Sequence, residues 1–431
     1  MRDQDPDRKA LWANPNFRWL FGGGVISMLG DQFTLIALPW LVLKLTHDPL
    51  ALGGVVAAMG APRAIFMLVG GAIVDRSSPR RIMLLTKLAS TACIGLLGAL
   101  VLAQRIDMAL VYVLAAAIGL CTAFAWPASS ALLPSVLEPG LLAPANGVLM
   151  GMRQVSTLAG PLLAGLLIAA GGDGGHGGAA GSGLADARGL GIAFLLDAAS
   201  FLLSAATLAR VRPLALGPEQ AQMQPVERPA LLASLAAGLR YCWDDTLLRA
   251  CFLYWSAMAL FVSGPLQVAL PLLAARVGGA GAYGSLMAAH GAGMVAGMAL
   301  SAVRPGLRIA SFGTTLLAAD GLIGLLFIAM AGVGGLWQGA GLLLALGLVG
   351  GYLQAAMMSW LQRRIRADMR GRAMALLMFL FMGLAPVSAA LSGWLAGAVG
   401  LGGIFAGVGM AMLALVLVGF VGTPIRHLSE T

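Results

Sequence analysis

Charge is what this sequence has least of. Of its 431 residues only 10% are Asp, Glu, Lys or Arg, while 59% are hydrophobic and the mean hydropathy is +0.89. A water-soluble globule carries about 25% charged residues, so that class is excluded and the chain reads as an integral membrane protein. Cysteine is scarce too. Cys93, Cys121, Cys242 and Cys251 form no Cys-x-x-Cys pair and read as free thiols, with no metal or disulfide role. The three lysines, Lys9, Lys44 and Lys87, never supply a Gly-Lys-Ser/Thr ending. The stretch from Gly171 to Gly178 is therefore a flexible external loop and not a phosphate cradle, and ATP is not the expected energy source. There is no His-Glu-x-x-His, no Ser/His/Asp grouping and no cluster of metal ligands, so no enzyme chemistry, metal or cofactor is expected.

Long apolar runs occupy most of the chain. At about 20 apolar residues per span, they give twelve helices: 16–44, 49–74, 80–103, 108–133, 141–171, 190–210, 246–275, 281–303, 309–331, 335–360, 372–399 and 402–422. The first run, Phe17 to Leu45, exceeds the apolar core of a signal peptide and lacks a small-residue cleavage site, so it is expected to remain as a span. An even count returns the C-terminus to the side of the N-terminus. Of the 27 Lys and Arg residues, 21 fall at the termini or in even-to-odd loops on that side. Lys44, Arg105, Arg188 and Arg276 fall opposite, and Arg63 and Arg153 lie within spans. Both termini are thus expected in the cytoplasm and the protein in the inner membrane. Topology also accounts for the net charge of +9, with no nucleic-acid partner implied.

The domain plan follows from these runs: 1–15 cytoplasmic, 16–210 a six-helix bundle, 211–245 a cytoplasmic linker, 246–422 a second six-helix bundle, and 423–431 cytoplasmic. The linker holds prolines 213, 218, 225 and 229, then the stretch from Leu231 to Tyr241, which suits an amphipathic interfacial helix. Gly71 and Gly297, Pro39 and Pro265, and Pro161 and Pro386 recur at offsets of 226, 226 and 225, pointing to two repeats.

The most crowded polar stretch is the hairpin Gly71-x-x-x-Asp75-Arg76-x-Ser78-x-Arg80-Arg81. A carboxylate at a helix C-terminus opposes the helix dipole, so Asp75 should have a partner among the arginines or at the N-terminus of a distant helix. This spacing resembles the loop between helices 2 and 3 of the major facilitator superfamily, with Ser78 where the family has glycine. The resemblance implies an all-α transporter of two six-helix repeats, in which Gly71, Asp75, Arg76, Arg80 and Arg81 latch the halves. In the second copy Ser301 stands at the aspartate's position, and only Arg304 and Arg308 keep the charge.

Each charge inside a bilayer costs about 2.5–3.5 kcal/mol on insertion scales and needs a reason. Asp31 and Arg63 fall at similar depth in antiparallel helices 1 and 2, Arg153 lies near the middle of helix 5, and His290 near the middle of helix 8. Two readings stay open for Asp31: a proton-titratable carboxylate governed by Arg63 or Arg153, or a permanent Asp31–Arg63 pair that fixes packing. His290, Asp197 and Asp320 read more simply as hydrogen-bonded to neighbouring helices. In helix 5, Gly160-Pro161-Leu162-Leu163-Ala164-Gly165 resembles the Gly-Pro-x-x-Gly-Gly element of drug–proton antiporters, with Ala164 in place of one glycine. Trp126, beside Pro127, is the best single candidate for a cavity wall.

The stretches Phe194 to Phe201, Gly238 to Tyr241 and Arg370 to Met374 resemble the bacterial secretion-effector branch of the superfamily, which includes enterobactin-exporter-like, macrolide-efflux and lysophospholipid-transporter members. That resemblance implies a monomer exporting a hydrophobic or amphipathic small molecule of drug or siderophore type by proton antiport, with protons and the lipid bilayer as its other partners. A lipid flippase, an uncoupled facilitator or, more remotely, a transporter-like membrane sensor are the alternatives.

Overall fold

In a bilayer every backbone polar group must be satisfied inside the chain, which leaves helices as the economical way for these apolar runs to cross. In the computed structural model, all regular elements among the described residues are helical. The structure describes residues 6–173, 187–214, 231–304, 311–366 and 369–428; the side chains of 6, 7, 68–72, 74–76, 173, 231–235 and 427 stand outside that description.

A short α1 (Pro6–Ala13) precedes α2 (Pro15–Thr46), α3 (Pro49–Arg76), α4 (Pro79–Leu102), α5 (Met108–Val136), α6 (Pro139–Ile168) and α7 (Arg188–Ala209). Five of these seven begin on a proline, whose missing N–H is no loss in the first turn of a helix. Asn14 caps α2 by accepting from the N–H groups of Asn16 and Phe17, and Asp107 caps α5 by accepting from that of Leu110. In the expected linker, α8 (Leu231–Asp244) forms where an amphipathic helix was anticipated; Gly238 lets it approach the backbone of Arg372.

The second bundle comprises α9 (Thr246–Gly264), α10 (Leu270–Val277), α11 (Gly279–Val303), α12 (Phe312–Met330), α13 (Leu336–Arg364) and α14 (Arg370–Gly422). A π turn over Pro265–Ala269 joins α9 and α10 into one span. Among the described residues, eleven helical stretches are long and apolar enough to cross a membrane, and the last, of 53 residues, is far too long for one crossing. Gly400, at φ 70° and ψ 175°, breaks α14 into two. The result is the expected twelve spans, with edges shifted by a few residues. Past Asp173 the glycine-rich loop lies outside the described residues, as does the stretch 215–230 of the linker.

Candidate functional site

The two bundles meet along two helix pairs, α3 with α14 and α6 with α11. At the end of the molecule away from the chain termini, both pairs are drawn together by glycine. A Cβ on Gly53 would come 2.6 Å from the Ala389 carbonyl oxygen and 3.0 Å from the Cα of Gly393. A Cβ on Gly165 would come 2.8 Å from the Ala280 oxygen and from the Cα of Gly284. Only hydrogen fits in these seams, and this distal end is sealed by backbone packing. Nearer the termini, Gly147 and Gly151 of α6 meet nothing within 4 Å.

Between the bundles lies a cavity of about 820 Å³, lined from Leu20, Met83 and Leu142 near the terminal face inward to Leu38, Tyr283 and His290. That volume falls within the range of small-molecule sites. Every Asp, Lys and Arg in its described wall comes from the first bundle: Asp31 on α2, Arg63 on α3, Lys87 on α4, Arg153 on α6 and Asp197 on α7. The second bundle supplies Leu266, Gln267, Tyr283, Met287 and His290.

The cations whose charge reaches Asp31 are Lys87 and Arg153. Of the two readings of Asp31, the permanent pair with Arg63 is not formed: no ion pair within 4.0 Å joins them, and Arg63 Nε is buried without a hydrogen-bond partner. Similar depth on neighbouring helices does not place two side chains on facing sides. Arg153 lies instead over the Trp126 ring, 4.8 Å from its centroid, a cation–π contact at the cavity wall.

Lys87 departs from its expected place in the loop charge. It lies eight residues into α4 from Pro79, about 12 Å along the axis. It is only 8% exposed, donates to Ser27 Oγ at 3.2 Å and stands 5.2 Å over the Phe201 ring. A lysine inside an apolar run flanked by Thr86 and Ser90 was the signal that could have found it. Asp197 is fully buried, accepts from the hydroxyls of Thr34 and Ser200, and lines the same cavity within reach of the charges of Lys87 and Asp31. The hydrogen bonding expected of it is present, and the residue also belongs to the cavity wall. Asp320 matches its expectation fully, accepting from Tyr254 Oη at 2.9 Å, and neither residue touches the cavity. His290 lies in the cavity wall against the Leu343 backbone, with Nδ1 buried and unpartnered.

In the hairpin, Arg80 donates to the carbonyls of Leu208 and Ala209 at 3.3 and 2.6 Å, satisfying the C-terminus of α7. Arg81 is exposed. The side chains of Asp75 and Arg76, and the surroundings of Gly71, lie outside the described residues. The helix-5 element sits at the seam: Gly160 packs on Gln32 of α2, the Pro161 carbonyl faces Gly284, and Gly165 faces the same glycine. The four cysteines are free. No group of metal-ligating side chains occurs among the described residues.

Two helical bundles around a central cavity, closed at one end by close backbone packing, define a membrane transporter. The profile of the Major Facilitator Superfamily matches residues 20–390, and the chain belongs to that family. It is 28% identical over 329 residues to the "Enterobactin exporter EntS" of Shigella flexneri, covering 75% of this chain and 72% of that one. It is 29% identical over 229 residues to the "Multidrug efflux pump Tap" of Mycolicibacterium fortuitum, covering 51% of this chain and only half of that one's length, 50%. The fold is that of a bacterial homolog to the human lysosomal transporter Spinster in its inward-facing and unoccupied conformation, at TM-score 0.68, 14% identity and coverage of 99% and 98%. A bacterial homologue of the iron transporter ferroportin, in an inward-facing state, superposes at TM-score 0.61 and 18% identity over 97% and 98% of the chains.

Proposed function

We propose that this transporter exports a hydrophobic or amphipathic small molecule, of drug or siderophore type, in exchange for protons entering through the inner membrane. The observation that carries the reading is one mostly apolar cavity with a carboxylate, Asp31, set in its wall beside Lys87 and Arg153. An apolar wall accepts varied amphipathic molecules, and an acid facing water in one state and cations in another can load and release a proton. The names of the relatives EntS and Tap, an exporter and an efflux pump, favour outward movement.

In this reading both termini are cytoplasmic, so the cavity opens inward and the glycine seams close the outer side. The protein works as a monomer by alternating access. Asp75, with Gly71, Arg76, Arg80 and Arg81, holds the inner side shut in the opposite state, where the N-terminus of α14 near Gly371 and Arg372 is the partner. Export assays on a deletion strain, over panels of toxic compounds and siderophores, identify the cargo. Vesicles with and without an imposed pH gradient then test the coupling. Uphill movement only with the gradient is expected; equal movement without it replaces the antiporter by an uncoupled facilitator or lipid flippase.

A further inference from the structure

Arg63 stands in the cavity wall with no anion to meet it. Among the described residues no hydrogen bond or ion pair engages its guanidinium, and its Nε is buried without a partner. Its neighbours in the wall are engaged. Lys87 donates to Ser27 and stands over the Phe201 ring, Arg153 lies over the Trp126 ring, both within electrostatic reach of Asp31, and Asp197 accepts from the hydroxyls of Thr34 and Ser200. Three cations and two carboxylates leave one positive charge over, and of the three cations Arg63 is the one with neither a hydrogen bond nor an aromatic ring against it among the described residues. A cation half-buried in a membrane cavity without a counter-ion is costly enough that such residues mark the path of a charged ligand.

The ligand's shape follows from the rest of the wall. The guanidinium is a planar fork that suits a carboxylate, sulfonate or similar oxyanion, bound through two parallel N–H donors. Trp126, 40% exposed, offers an aromatic face already stacked with Arg153. Met28, Met59 and Met287 supply adaptable apolar surface around them. We propose that the molecules carried are amphipathic anions with an aromatic ring, the oxyanion held by Arg63 and the ring packed at Trp126. This rests on the reading of the cavity as the transport site, and it selects against lipophilic cations.

The test is binding at equilibrium, with no gradient, to the full chain in nanodiscs of zwitterionic lipid. The probes are 1-naphthaleneacetate, its neutral amide and 1-naphthylmethylammonium, measured by equilibrium dialysis against empty discs. The anion should bind about tenfold more tightly than the amide, and the ammonium most weakly. Arg63→Gln should bring the anion down to the affinity of the amide while leaving the amide unchanged, and Arg63→Lys should keep part of the preference. If Arg63→Gln does not assemble, the order of the three probes on the wild type and on Arg63→Lys decides. Absence of anion binding above empty discs, an equal or reversed order, or a preference that survives Arg63→Gln each overturns the proposal. Proton coupling does not enter this measurement. An intact anion preference without uphill transport would remove the antiporter and leave the anion site standing.

Discussion

Gly165 of α6 and Gly284 of α11 bring two helices so close that a methyl group on either would fall within 3 Å of the other's Cα. The contact repeats between Gly53 and Gly393 on the opposite flank of the cavity. Gly165→Val should force the distal seam apart, since overpacking of this kind costs about 1–3 kcal/mol in the packed state. A single cysteine at Ala280, buried in the closed seam, should then react faster with a thiol reagent applied from that side, by about tenfold for each 1.4 kcal/mol. Unchanged labelling would mean that this seam does not open.

Asp31→Asn keeps shape and hydrogen bonding but removes titration. Exchange of substrate across vesicles should persist while uphill export driven by a pH gradient disappears. Lys87→Gln should differ, because it removes the cation buried beside both carboxylates and leaves Asp31 and Asp197 to be balanced by Arg153 and hydroxyls alone. Its protein yield and melting temperature should fall as well. An Asp31→Asn variant with wild-type rate and pH dependence would move the proton site to another residue, His290 being next to test.

Asp245 caps α9, accepting from the N–H groups of Leu247 and Leu248 at 2.9 and 3.1 Å, and pairs with Arg364 at 2.8 Å. Burial alone would raise its pKa. The Leu248 N–H, the Arg364 guanidinium and the Leu247 N–H outweigh that and hold it below the ordinary value of 3.8. A depressed carboxylate contributes stability above 3.8 that is lost as the pH falls through the folded value. Asp245→Ala should therefore lower stability by about 1 kcal/mol at pH 7. That difference should shrink in thermal melts taken below the ordinary value, whereas a constant difference would assign the effect to packing.

Tyr254 and Asp320 join α9 to α12 away from the cavity. Tyr254→Phe should destabilise the second bundle by about 0.6–1.7 kcal/mol, the range for hydrogen bonds between membrane helices. Transport per folded molecule should be unchanged. A loss of coupling in this variant would contradict a purely structural pair.

The number of spans and the division into halves were legible because they depend on run length, sign of charge and punctuation by glycine and proline. Asp31, Arg153 and Trp126 were legible as isolated polar or aromatic residues in apolar helices. What could not be read was rotation. Both α2 and α3 are apolar around most of their circumference, so no polar face tells which way Asp31 or Arg63 turns. The possible pair between them is consequently not formed, and Asp31 lies within electrostatic reach of Lys87 and Arg153. Lys87 was lost to the loop count because its depth depends on where α4 begins. The central position of Asp197 depends on α7 packing against α2, a contact between residues 163 apart that no local pattern encodes.

The placement of all described charged cavity residues on the first bundle has an electrical consequence. In the proposed alternating-access cycle, a tilt of that bundle moves them through the membrane field as one body, carrying one net positive charge when all are ionised. One elementary charge crossing the whole field does work of about 2.3 kcal/mol per 100 mV, and a partial displacement does that fraction. Among the described residues the cavity face of the second bundle bears no such charge, so its motion leaves their contribution to voltage sensitivity unchanged. Any response of the cycle to membrane potential that arises in the cavity is thus set by the travel of one half alone, and by whether a proton or an anionic cargo has altered the charge it bears.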